Sequence, residues 1–346
     1  MARSRSVSQI TRRFIVLLVL VVALCAGWTW FWHYASAKAE ATIAGWRARE
    51  AKAGRVYTCG TQTLGGFPFR VEVVCDRAGA VLRGNGPPVE IKTANVHVAA
   101  QIYQPSLLIS EFRGPFTVGE PGKSPEFIAN WKLAQSSVRG TPQSPERVSI
   151  VLDEPKFDRV SPSEALLRGK RLEVHGRIVE GSAANRPVIE VALKLAQVSA
   201  PVGGPVTAIP IDADINFVLR GLSDFSPKSW PDRFREIQAA GGRIDIVNAR
   251  VAQGDTIAVG GGALTLNNRG RLDGQMNVTV AGVESFINAV SSATRQRSGF
   301  SISLGLGLLG GNATLEGRKA INLPLRFNDG AIFLGPIPIG QAPALF

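Results

Sequence analysis

RIDIVNARVAQGDTIAVGGGALTLNNRGRLDGQMNVTVA, residues 243–281, alternates apolar and polar side chains for most of its length. Ile257 matches Val259 in parity, Leu264 matches Leu266, and Met276 matches Val278 and Val280. Successive side chains of a strand point to opposite faces, so each run presents one apolar and one more polar face. An antiparallel sheet with one covered face has this pattern. Asn267-Asn268-Arg269-Gly270 interrupts it with residues that favour a turn.

The same period extends outward in both directions. Upstream, Val96, Val98 and Ala100 share a parity, and Ile189, Val191, Leu193 and Leu195 form another run. Leu172, Val174 and Ile178 alternate with Glu173, His175 and Arg177. Downstream, 312–334 reads like 243–281 as meandering hairpins, and Asp329-Gly330 is a two-residue hairpin signal. Gly84-Asn85-Gly86-Pro87-Pro88 separates two more strand-like runs, while 119–125, 141–145 and 199–205 read as loops. Two helices are expected among the strands. Pro231–Ala240 starts on Pro-Asp and stops at Gly241-Gly242, and Val283–Gln296 carries Phe286, Ile287 and Val290 at helical spacing. The Gly-rich apolar segment 299–311 fits either a membrane-facing loop or a strand edge.

Composition agrees. Of 346 residues 45% are apolar and 19% charged, enough to bury a core and unlike a disordered tail. Thirty-seven Gly and 21 Pro without a period argue against collagen and against long helical bundles. The net charge is +12; Arg3, Arg5, Arg12 and Arg13 lie in an acid-free N-terminus, leaving +8 for the rest. No nucleic-acid motif accompanies this charge, so anionic lipid or a solvated basic surface are the readings kept, and nucleic acid is not an expected partner.

FIVLLVLVVALCAGWTWFW, residues 14–32, carries no charge. As a helix it is about 28 Å long at 1.5 Å per residue, close to the hydrocarbon thickness of a bilayer. Arg12 and Arg13 abut its start, and no basic residue follows until Lys38. By the positive-inside rule the N-terminus is cytoplasmic and the chain after residue 33 is across the membrane. Trp28, Trp30, Trp32 and Tyr34 crowd the far interface. The expected organisation is a cytoplasmic basic N-terminus (1–13), a transmembrane signal-anchor (14–33), a membrane-proximal helix (34–54) with Ile43 and Trp46 on one face, and a periplasmic β-rich domain (55–346). Ala35-Ser36-Ala37 also satisfies the small-x-small rule of signal cleavage, but the long apolar stretch and its bulky aromatic end favour an uncleaved anchor. Cys25 reads as a thiol buried in the span. Cys59 and Cys75, flanking a strand–turn–strand segment, read as a disulfide made in an oxidising compartment.

Chemistry is sparsely signalled. His97 and His175 sit in alternating runs, and His33 lies at the membrane boundary. Asp153-Glu154 and Asp212 with Asp214 are the candidate carboxylate pairs, each read more simply as a solvated strand face. No P-loop lysine or dinucleotide fingerprint accompanies the glycines. The expectation is a non-enzyme with no catalytic residue, metal or cofactor.

TLGGFPFRVEVVC (63–75) with Cys59 resembles the N-terminal signature of the domain of unknown function 2125 family. The 238–280 region resembles that family's middle-to-late part, and LPLRFNDGAIFLGPIPIGQAPALF (323–346) its ending, with Gly335 and Pro336 in the LGPIPIG string. The resemblance implies an anchored or exported protein of Gram-negative bacteria, with no catalytic residues to carry over. The G-x-L-x-L rhythm is similar, more loosely, to the AsmA-like group. That likeness implies a mainly β protein whose long, curved antiparallel sheet forms an apolar groove, with a few short covering helices and a role in outer-membrane lipid supply and envelope integrity. The expected partners are therefore the inner membrane, a phospholipid in the groove, and an envelope protein. A ligand-free scaffold is the alternative reading, and an envelope hydrolase with a carboxylate pair a remoter one. Among the motif residues, Gly65 and Gly66 are expected to permit a turn and Pro68 to rigidify entry to the strand ending at Cys75. Phe67 and Phe69 share a parity with Val71 and Val73 and are expected to cover a sheet face; Arg70 completes the string.

Overall fold

The computed structural model describes residues 4–84, 86–141, 144–226, 228–282 and 311–346. One helix, α1 (Ser4–Lys52), precedes all strands. The anchor and the membrane-proximal helix of the sequence reading are thus one uninterrupted helix, ended at Gly54 with φ +80°. No proline or glycine pair interrupts α1, and nothing in residues 33–36 breaks an α-helix. The Cys25 thiol lies on its exposed surface and is not buried in protein.

After α1 come β1 (Arg55–Gly65), β2 (Arg70–Leu82), β3 (Val89–Gln101), β4 (Gln104–Gly119), β5 (Phe127–Asn130), β6 (Leu133–Thr141) and β7 (Ser144–Asp153). Then follow β8 (Lys156–Arg159), β9 (Glu164–Arg168), β10 (Arg171–Ser182), β11 (Asn185–Val198), the single turn α2 (Pro205–Ala208), β12 (Ile211–Leu219) and α3 (Trp230–Ala239). The chain finishes with β13 (Arg243–Gln253), β14 (Thr256–Leu266), β15 (Leu272–Ala281), β16 (Gly311–Leu315), β17 (Arg318–Asn328), β18 (Ala331–Leu334) and β19 (Ile337–Gln341).

The protein is mainly β, and its strands form one antiparallel sheet. Its spine runs β1-β2-β3-β4-β6-β7-β10-β11-β12-β13-β14-β15-β17-β18-β19. The ribbon β5-β8-β9 branches from the far half of β4, and β16 lies on β17. No pairing joins β19 to β1 among the described residues, so the sheet is open.

Local chemistry explains the turns. Asp329 (φ +52°) and Gly330 (φ +78°) make the two-residue link between β17 and β18, and Gly335-Pro336 the link between β18 and β19. The 243–281 meander is β13-β14-β15. The 141–145 loop is shorter than expected, because Ser144 and Pro145 already pair in β7 with Thr141 and Gly140. Helix α3 starts one residue earlier than expected, with the Ser229 hydroxyl accepting from the Asp232 N–H at its N-cap. Both the expected helix at 283–296 and the 299–310 segment lie outside the described residues; Gly311 opens β16.

Two expectations about the family motif are corrected. Phe67 and Phe69 lie in the β1–β2 turn, not on the sheet face. Only Gly66 of the glycine pair is required: its φ is +96°, and a Cβ there would sit 2.6 Å from the Arg70 carbonyl oxygen, whereas a Cβ on Gly65 would meet nothing within 4 Å.

Candidate functional site

Helix α1 docks along β1 with opposite chain direction. A stripe at Trp28, Trp32, Ser36, Ala39, Ile43, Trp46 and Glu50, spaced three or four residues apart, is buried or half-buried. At one end Trp28 Nε1 donates to the Pro68 carbonyl and Trp32 Nε1 to the Arg70 carbonyl, both at 2.8 Å. Phe69 packs on Trp28 with centroids 6.2 Å apart, and Phe67 meets Trp32 edge-on at 5.6 Å. At the other end Trp46 packs on Tyr57 at 4.6 Å, and Glu50 pairs with Arg55. The Arg55 guanidinium holds the Glu50 carboxyl below its ordinary range.

Beside α1 the sheet carries a cavity of about 460–700 Å³ at each end of one apolar trough. The larger, about 700 Å³, lies between α1 and strands β1–β4, β6 and β7. Its wall depends on a fault in the pleat. Cys59 pairs with Ala78 and Cys75 with Gln62, which in a regular ladder puts the two cysteines on opposite faces. Arg77, at φ +52° opposite Gly60, reverses the alternation, so Cys59 and Cys75 meet as a disulfide with a Cα–Cα distance of 5.6 Å. A bulge between Thr93 and Asn95 repeats the reversal in β3 and lets Thr93 join Val96 and Val98 on the cavity wall. Phe112 and Phe116 of β4 complete it, braced by Trp131, whose Nε1 donates to the Phe112 carbonyl at 2.7 Å.

A waist of about 180 Å³ follows, walled by Val148, Gly176 and Ile178. It shares Pro145 and Val148 with the first cavity, and Ile189 and Phe225 with a third of about 460 Å³. The three therefore adjoin in a row along the sheet. The far cavity is roofed by α3, whose Trp230, Phe234 and Ile237 face Leu264, Leu266 and Leu272. An ion cluster flanks the apolar face of α3, with Arg233 also on the cavity wall: burial pushes the Glu236 carboxyl up, but Lys228 at 2.7 Å, the Ser223 N–H at 2.6 Å and Arg233 at 3.0 Å outweigh it and hold the group at about 2.

The candidate catalytic residues are not brought together. His97 (β3) lies 3.6 Å from Glu72, and His175 (β10) 2.9 Å from Glu173, with β4, β6 and β7 between the two strands. Arg171, with His175, holds the Glu173 carboxyl below its ordinary range. Asp153 pairs with Arg171 at 2.6 Å, while Glu154 faces Lys132 at 3.6 Å. Asp212 accepts from the Gln197 N–H and Asp214 from Asn216 Nδ2. Among the described residues no group of three His, Cys, Asp or Glu has the arrangement to hold a metal.

A family described as "uncharacterized protein conserved in bacteria (DUF2125)" matches residues 32–343. The chain belongs to the DUF2125 family. The matched residues of this DUF2125 protein include the disulfide, most of the trough lining, α3 and the Gly335-Pro336 hairpin; the apolar span lies before them except for Trp32. No curated protein matches the chain. Sequence reasoning missed the Trp28 and Trp32 contacts, although their spacing of four places both indoles on one helix face. It also missed Gly176 at the waist, for which the sequence carries no signal beyond a glycine in an alternating run.

Proposed function

We propose that this DUF2125 protein is a periplasmic protein, anchored in the inner membrane by α1, that holds or passes lipid acyl chains in its trough in support of the bacterial envelope, without catalysis. The contiguity of the three cavities, beginning beside the membrane helix, carries this reading. Their walls are apolar, and the larger two fall within the roughly 300–1,000 Å³ of ligand sites. Helix α1 is long and apolar enough to cross a membrane, and Arg12-Arg13 before the span favours a cytoplasmic N-terminus. The Cys59–Cys75 bond suits an oxidising compartment. An uncleaved anchor is supported by Ser36, which is buried within α1 in the middle of the cleavage motif, and by the Trp28 and Trp32 indoles that tie the anchor to the sheet.

The test is native mass spectrometry of the full chain extracted in detergent, with lipid analysis of the same sample. Co-purifying phospholipid is expected. A folded, lipid-free chain with a reproducible cross-linked protein partner overturns this reading in favour of a scaffold.

A further inference from the structure

We infer that the tips of the β1–β2 and β3–β4 hairpins, carrying Phe67, Phe69 and Tyr103, insert into the surface of the phospholipid bilayer that α1 spans. The inference rests on the anchoring part of the reading above and not on what the trough holds.

The level of the tips is set by bonds to the span itself. Pro68 accepts from Trp28, a residue inside the charge-free stretch 14–32, and Arg70 accepts from Trp32 at its end. Four residues of helix are about 6 Å, so the β1–β2 tip sits about that far below the last apolar residue of the span. The second tip is held at the same level, because the Ile102 N–H donates to the Phe69 carbonyl at 3.0 Å.

The chemistry of the tips matches that depth. Phe67, Phe69 and Tyr103 are 54%, 62% and 72% exposed, beside a helix that exposes Trp30 (71%) and Tyr34 (58%). Each ring leaves more than half of its surface open, an apolar surface that a bilayer would cover, and the amphipathic tyrosine ring prefers the membrane–water interface. Backbone entering a bilayer must also satisfy its own polar groups. The carbonyls of Gly66, Pro68, Phe69 and Arg70 each accept a hydrogen bond, from Arg70 N–H, Trp28, Ile102 N–H and Trp32 respectively, and Pro68 has no N–H to satisfy. The Arg70 guanidinium, paired with Glu72 at 2.8 Å yet largely exposed, is a cation suited to lipid phosphate at this rim. The wall of the first cavity begins further along the same strands, at Val73 of β2, Val98 of β3 and Leu108 of β4. Insertion of the tips therefore fixes how far the near end of the trough stands from the bilayer surface.

The experiment places an environment-sensitive fluorophore on single cysteines of the full chain in vesicles of phosphatidylethanolamine and phosphatidylglycerol. Native Cys25 serves as the span reference. Phe69→Cys and Tyr103→Cys, each in a Cys25→Ser background that keeps the Cys59–Cys75 bond, report the tips, and Gly84→Cys in the far β2–β3 connection reports solvent. Spin-labelled lipid with its quencher near the headgroup is expected to quench both tip probes several-fold more than the Gly84→Cys probe. Tip probes no more quenched than Gly84→Cys, with the Cys25 probe quenched by deep spin labels, overturn the inference and leave the anchor standing. A Cys25 probe that is not quenched removes the anchor, and the inference with it.

Discussion

Gly176→Leu tests whether the trough is one compartment. Gly176 lies in β10 between Val148 of β7 and Val191 of β11, on the wall of the 180 Å³ waist. A Cβ there would meet nothing within 4 Å, and its φ lies outside the left-handed region, so the side chain enters open space. Removing a strand glycine and burying an apolar side chain both favour the fold, so stability holds or rises by about 1 kcal/mol. Leu fills the waist with four carbons and displaces about three acyl methylenes, each worth ~0.8 kcal/mol, about 2.4 kcal/mol in all. Retention of long-chain lipid then falls roughly 50-fold. Gly84→Leu, where a Cβ also meets nothing, is the control. The assay is competition of a fluorescent long-chain lipid from the purified chain, with melting curves of each variant. A Gly176→Leu protein that melts like the native chain and holds the lipid equally well would refute a continuous trough.

Other predictions follow from individual contacts. Replacing Cys59 and Cys75 together by Ala opens the loop across their separation of 16 residues and costs about 3 kcal/mol; denaturant midpoints with and without reductant measure this, and identical midpoints would count against it. Gly66→Ala forces a Cβ to within 2.6 Å of a carbonyl at φ +96° and costs about 1–3 kcal/mol, whereas Gly65→Ala stays within about 0.5; equal melting shifts for the pair would contradict the turn geometry. Glu236, held at about 2 against an ordinary 4.5, contributes stability that is present above its unfolded value and is lost as pH falls from about 5 towards 2. The unscreened worth of that shift is ~3 kcal/mol and solvent screening reduces it to about 1; Glu236→Gln should flatten this part of the stability–pH curve, and an unchanged curve would show that the ion cluster is idle.

Strands, hairpin turns and α3 were legible because period 2, paired turn residues and a Pro-Asp start are local signals. Phe67 and Phe69 were misread because parity with Val71 and Val73 holds only while the chain stays extended. Gly66, needed for its left-handed φ, ends that extension. The cysteines illustrate a subtler limit. Their pairing follows from scarcity and compartment, yet regular alternation from Cys59 and Cys75 through the observed register would have kept them apart. Arg77 brings them together, and a left-handed arginine leaves no mark in composition. The trough itself is a property of strands far apart in sequence: Val148, Gly176 and Ile189 become neighbours only through the β7-β10-β11 ladder.

The bonds from Trp28 and Trp32 make α1 a ruler. Sixteen residues separate Arg12 from Trp28, about 24 Å of helix, and the hairpin tip cannot slide along that length without breaking two indole hydrogen bonds. If α1 spans the bilayer as proposed, with Arg12 and Arg13 at one surface, the height of the hairpin tips is fixed from the opposite leaflet. On that reading a bilayer a few ångströms thicker draws the tips deeper and a thinner one lifts them clear.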